Sequence, residues 1–112
     1  MHQFCRIGRL AMLGGGAKII KDCLPFVITD GNPARARALN AVGLRRAGFT
    51  ASQLRVLKDA FRLLLRSALP LETALARMAE IGDPNVDEMI AFCRGTRRGF
   101  HRSEPERDEA PG

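Results

Sequence analysis

The chain has 112 residues, 46% of them hydrophobic, with a formal net charge of +6. That length suits one small domain with a modest core, and the longest apolar run is far too short to span a membrane. The chain has no charged n-region followed by an apolar stretch, so no secretory signal is read, and the three scattered cysteines form no CxxC pair or Cys/His cluster. Cys5, Cys23 and Cys93 therefore read as reduced core thiols of a cytoplasmic protein, with no metal implied.

The first stretch, residues 2–32, repeats in sixes. Ile7, Leu13 and Ile19 fall six apart, and two residues before each stands a small one, Cys5, Ala11 and Ala17. Cys23 and Thr29 continue the small column. A period of six fits neither a helix nor a simple strand, but it fits a β-solenoid coil of three short sides, about eighteen residues around. Ile7, Leu13 and Ile19 are expected inward and the small residues at corners. About three repeats are usually needed for stability, so the segment reads as the last coils of a longer solenoid.

The solenoid stretch ends at Asp30-Gly31-Asn32-Pro33, a dense turn signal in which Gly31 is free to take positive φ. From residue 34 to about 100 the expectation is predominantly helical. Asn40 is a good N-cap for a short helix to about Ala47, with Gly48 placed to stop it and Arg45 and Arg46 in the last turn. Thr50-Ala51-Ser52-Gln53 is a capping box that starts a helix at Ala51. Leu54, Leu57, Phe61, Leu64 and Ala68 form its apolar stripe, and Arg55, Lys58, Arg62 and Arg66 its basic face. Pro70 opens the next helix, striped by Leu71, Ala74, Leu75 and Met78 and ending at Gly82. Asp83-Pro84 reads as N-cap and first turn of a last helix burying Val86, Met89, Ile90 and Cys93. From His101 to Gly112 the chain is charged, holds two prolines and shows no apolar period, so it is expected to be disordered.

The dispersed basic charge reads as a solvated face or as a surface for an acidic protein or a phosphate-bearing small molecule. Nucleic acid fits poorly, because there is no Tyr or Trp for base stacking and no recognisable binding motif.

In order, HQFCRIG, GGGAKIIKD, PFVITDGNPA, LNAVGLRRAGF and FRLLLRSALPLETALARM resemble the carboxy-terminal part of the acyl-acyl carrier protein–UDP-N-acetylglucosamine O-acyltransferases. The resemblance covers about residues 1–100. It implies a β-solenoid-plus-α fold: residues 1–33 as the last hexapeptide coils of a left-handed parallel β-helix, 34–100 as a carboxy-terminal helical domain, 101–112 as a loose tail. It further implies a cytoplasmic homotrimer with active sites between subunits. The implied reaction moves an (R)-3-hydroxyacyl group from acyl carrier protein to the 3-hydroxyl of UDP-N-acetylglucosamine, the first step of lipid A biosynthesis. A histidine would act as general base and backbone N–H groups would hold the oxyanion, without metal or organic cofactor.

Carried over residue by residue, His2 and Gln3 match the family's HQF near the sugar nucleotide. Gly15 falls where side-chain bulk sets acyl-chain length, so a glycine there leaves room for a longer chain, although corner geometry alone could also explain it. Asn40 and Arg46 match residues that contact the uridine diphosphate, Arg46 offering a planar fork to phosphate oxygens, with Arg45 a weaker candidate. Val42 and Ala47 depart from the pattern, standing where a member of the family has an acidic residue and another arginine. Arg55, Lys58, Arg62 and Arg66 could receive the acidic carrier protein or remain an ordinary solvated face.

The family's general base lies on a coil before the HQF segment, which this sequence does not contain, and His101 falls outside every motif. No residue here is therefore assigned as catalytic, and the 112-residue chain alone is expected to be inactive, its gene having a late start, a break or a truncated end. The competing reading is a non-catalytic helical interaction module descended from that enzyme, binding an acidic partner. A basic nucleic-acid-binding fragment is the more distant one.

Overall fold

A computed structural model describes residues 5–103. His2 and Gln3 lie outside the described residues, as do residues 104–112.

The six-residue pattern folds into a single parallel winding. Ile7 bridges Cys23, and strand β1, Met12–Leu13, lies parallel to β2, Val27–Asp30, with Met12 opposite Ile28 and Leu13 opposite Thr29. Backbone bonds continue the ladder, from Gly8 N to the Cys23 carbonyl (2.9 Å), Gly14 N to Thr29 (2.9 Å) and Lys18 N to Gly31 (3.1 Å). Ile7, Met12 and Leu13 each lie sixteen positions before their partners, not the expected eighteen. Leu10 and Phe26, also sixteen apart, both take positive φ (57° and 68°), so the same tight left-handed corner recurs one turn of the winding later. Such a corner costs a non-glycine residue about 1–2 kcal/mol. At Phe26 that cost is offset by complete burial in the core, about 1.5–3 kcal/mol for a side chain of this size.

The interior of the winding differs from the expected arrangement. Ile19, Cys23 and Ala34 are buried together, with Cys5, Leu13 and Ala17 half-buried against them, so the small column packs inward beside Leu13 and Ile19. Ile7 does not join this cluster and is 40% exposed.

After the turn at Gly31 (φ 97°) and a cis Asn32–Pro33 bond, the chain returns as strand β3, Arg35–Leu39, antiparallel to β2 with a bulge between Ile28 and Thr29. This corrects the expectation of helix from residue 34. The strict alternation Arg-Ala-Arg-Ala is a strand signal, and Ala36, on the inner side, is 1% exposed. The sheet therefore has the order β1-β2-β3, parallel then antiparallel.

Helices follow where local chemistry starts them. Helix α1, Ala41–Arg46, is capped by Asn40, and α2, Ala51–Phe61, by the reciprocal Thr50–Gln53 box. Helix α2 runs into a π-helical turn, Arg62–Arg66, closed by Ser67 N donating to the Arg62 carbonyl five residues back. The Ser67 hydroxyl donates to the Leu63 carbonyl (2.6 Å) and ends the helix, so Ala68 leaves the stripe and is exposed. Helices α3, Leu71–Ala79, and α4, Pro84–Gly95, complete the domain, the latter capped by Asp83. Leu24, Phe26 and Val27 from the winding meet Leu44, Leu57, Leu75, Met78, Val86 and Met89 from the helices in one core.

The segment after α4 closes back on the winding. Asp22 N donates to the Gly99 carbonyl and His101 N to the Asp22 carbonyl (3.0 Å each), and Ala36 N donates to Arg102 (2.9 Å). Phe100, His101 and Ser103 are all buried, which corrects the expectation that disorder begins at His101. The backbone of 99–102 finds partners that composition alone does not reveal. Among the described residues no helix is long and apolar enough to cross a membrane.

Candidate functional site

Helix α1 carries two of the nominated residues. Asn40 is 8% exposed, and both ends of its amide are engaged: Oδ1 accepts from Gly43 N (3.2 Å) and Nδ2 donates to the Leu10 carbonyl (3.0 Å). Asn40 thus caps α1 and fastens it to the first winding. One N–H and further lone pairs of the amide remain for a ligand. A side chain at residue 43 would collide with the Asn40 amide, which is why glycine stands inside this helix despite costing about 1 kcal/mol relative to alanine there. Gly43 is a residue the sequence reading missed, although a glycine three positions after an N-cap was the available signal.

Arg46 is exposed in the last turn of α1, about 9 Å along the axis from Asn40 at 1.5 Å per residue. Arg45 is exposed beside it, and Val42, 58% exposed, and Ala47 line the same short helix. Gly15 lies in the turn after β1, exposed. A Cβ added there meets nothing within 4 Å, whereas one added at Gly8 would strike the Pro25 backbone and one at Gly14 the Asp30 carboxylate. Gly15 also lacks the positive φ of Gly31, Gly48, Gly82 and Gly99, so neither packing nor backbone conformation within this chain requires glycine at that point.

The basic residues of α2 and the π-helical turn after it separate into two kinds. Arg55, Lys58 and Arg62 are exposed, Arg62 in a loose pair with Asp59 (3.5 Å) that contributes little to stability. Arg66 is drawn back onto the protein, donating to the Arg37 carbonyl (2.9 Å) with its guanidinium 5.3 Å from the Phe61 ring centre.

His101 and Asp22 form a framework no motif announced. His101 Nε2 accepts from the backbone N–H of both Ile20 (3.2 Å) and Lys21 (3.1 Å), an arrangement only the neutral imidazole permits. Burial, and the nearby Lys21 charge, lower its pKa. Asp22, 2% exposed, accepts from Arg6 N (2.8 Å) and from the Thr96 hydroxyl (2.6 Å). Burial pushes the Cys23 thiol up to about 11 and the Cys93 thiol up to about 12, so both are inert at neutral pH. Among the described residues no three His, Cys, Asp or Glu side chains gather as a metal site.

The family model described as UDP N-acetylglucosamine O-acyltransferase, domain 2, matches residues 22–101. An acyl-[acyl-carrier-protein]–UDP-N-acetylglucosamine O-acyltransferase of Synechocystis sp. is 51% identical over 95 residues, 84% of this chain and 34% of that protein. Its counterpart from Anaeromyxobacter sp. is 42% identical over 103 residues, 90% of this chain and 40% of that protein. Among solved structures, a UDP-N-acetylglucosamine acyltransferase from Bacteroides fragilis superposes with a TM-score of 0.86 at 34% identity, over 90% of this chain and 40% of that one. The Arabidopsis enzyme gives 0.83 at 34% identity, over 90% and 39%. The chain thus spans two fifths or less of the length of these relatives. With 80 consecutive residues matched by its second-domain model, the chain belongs to the UDP N-acetylglucosamine O-acyltransferase family.

Proposed function

We propose that the chain supplies the nucleotide-gripping and acyl-accommodating part of an enzyme that transfers an (R)-3-hydroxyacyl group from acyl carrier protein to the 3-hydroxyl of UDP-N-acetylglucosamine. The observation that carries this reading is the second-domain match over residues 22–101, which contains Asn40 and Arg46 on a helix clamped to the winding. On this reading the winding is the end of a left-handed β-helix in a cytoplasmic homotrimer, residues 34–100 form its carboxy-terminal cap, and His2 and Gln3 approach the sugar nucleotide.

Transfer requires the sugar hydroxyl to attack the thioester carbonyl while a base takes its proton and the carrier thiol departs. The described residues include one histidine, His101, and its Nε2 is already an acceptor for two backbone donors, so it is no candidate base. The described residues act in binding: Arg46 offset against the diphosphate charge, Asn40 with its spare donor and acceptor, and Gly15 leaving room for acyl carbons. Gly15 gains support because nothing in the chain demands glycine there. Arg55, Lys58 and Arg62 form the face offered to the acidic carrier protein; Arg66 contributes less, being held by Arg37 and Phe61.

The test is a chimera joining these residues to the preceding region of the Synechocystis relative. Arg46→Ala is expected to weaken UDP-N-acetylglucosamine binding by about 1–3 kcal/mol, the worth of a charge-assisted hydrogen bond, and Arg62→Ala to leave it unchanged. Equal losses from the two would mean that general basicity, not this helix, governs nucleotide binding.

A further inference from the structure

On the side of the fold where the closing segment returns, a cavity of about 500 Å³ is bordered by three pieces of chain: residues 18–21 of the winding, 32–35 at the start of β3, and 100–102. Lys18, Lys21, Arg35 and Arg102 all line it, and no aspartate or glutamate does. None of the four forms an ion pair with a described carboxylate. Four like charges around one concavity repel one another, and nothing in the described lining offsets them. Arg35 adds a more specific signal, since its Nε is buried without a hydrogen-bond partner, an arrangement that costs about 1–3 kcal/mol for a polar group left unpaired.

The cavity is built rather than incidental. His101 ties the walls together, its Nε2 accepting from Ile20 and Lys21 N–H while its own backbone N–H donates to the Asp22 carbonyl (3.0 Å). Arg102 is oriented by stacking on Phe100, with its guanidinium carbon 4.9 Å from the ring centre, and by its own carbonyl accepting from Ala36 N (2.9 Å). A pre-oriented guanidinium presents its planar fork to phosphate oxygens, and converging lysines add point charges suited to a second phosphate.

We infer that this cavity is a second anion site, taking a small soluble compound that carries two or more phosphate charges. It is distinct from the nucleotide contacts proposed on α1. Arg35 and Asn40 stand at opposite ends of β3, about 16 Å apart at the rise of a strand. The inference does not depend on the acyl-transfer reading, because it rests on the composition and construction of this cavity alone.

The experiment titrates the full 112-residue chain with inorganic pyrophosphate by calorimetry at fixed ionic strength, and follows the His101 imidazole by NMR. Saturable binding is expected, with the His101 resonance moving in step. Lys21→Gln and Arg102→Ala should each weaken binding about tenfold or more, as expected for one lost charge-assisted contact, while Arg77→Ala, at an exposed arginine of α3, leaves it unchanged. Lys21 is exposed, so its variant tests the site without disturbing the core. Citrate should bind more weakly than pyrophosphate. The inference is overturned by an absence of saturable binding, by binding without a His101 response, by equal weakening in Arg77→Ala, or by citrate or an oligonucleotide binding at least as tightly with no loss in Lys21→Gln.

Discussion

Replacing Asn40 separates its two structural jobs. Its Oδ1 caps α1 through Gly43 N, and its Nδ2 braces the helix to the Leu10 carbonyl across thirty residues of sequence. Removing a cap of this type costs about 0.5–2 kcal/mol. The brace is an ordinary neutral hydrogen bond in a partly buried setting, worth about 0.5–1.5 kcal/mol net. Asn40→Ala loses both and should destabilise the chain by about 1–3.5 kcal/mol, a sizeable share of the 5–15 kcal/mol typical of a domain. Asn40→Ser should cost only the brace, because serine caps as well as asparagine but is too short to reach Leu10. Urea unfolding followed by far-ultraviolet circular dichroism gives both values, and amide exchange in α1 distinguishes local fraying from global loss. Indistinguishable costs for the two variants, or costs below about 0.5 kcal/mol for both, would refute this division and with it the claim that Asn40 holds α1 against the winding.

Acidification should loosen the closing segment. Because the folded pKa of His101 is lowered, the unfolded chain binds more protons between that value and the ordinary 6.5, so its contribution is present above about pH 6.5 and is lost as pH falls through the folded value. The urea midpoint should decline across that window, and His101→Gln, which can accept from the same N–H groups without titrating, should flatten the decline; matching profiles for the two chains would count against it. Cys23 and Cys93, raised by burial to about 11 and about 12, should resist iodoacetamide at pH 8 while the chain is folded, with half-buried Cys5 modified first. Prompt alkylation of both buried thiols, read by mass spectrometry, would show that the winding and α4 open far more readily than their packing implies.

What the sequence determined by itself was local. Asn40, the Thr50–Gln53 box and Asp83-Pro84 start their helices because each satisfies backbone N–H groups two or three residues away, within the reach of one side chain. Gly31, Gly48 and Gly82 take positive φ where the turn signals put them, and the stripes Leu54-Leu57-Phe61-Leu64 and Val86-Met89-Cys93 are buried because helical periodicity fixes a face whatever lies opposite. Only the tertiary structure decided the rest. The winding closes in sixteen residues because two non-glycine corners adopt left-handed backbone, and Phe26 tolerates that through contacts with helices distant in sequence. Residues 35–39 carry a strand's alternation, but four alternating residues become a strand only because β2 offers them a partner, a non-local gain. His101 reads as the start of a charged tail, yet it is buried because Ile20, Lys21 and Asp22, some eighty residues earlier, present backbone groups that match it. Arg66 reads like its neighbours on the basic face, and only the nearby Arg37 carbonyl and Phe61 ring set it apart. Caps and stripes depend on spacing along the chain; corners, edges and captured side chains depend on which distant backbone groups are left in need of a partner.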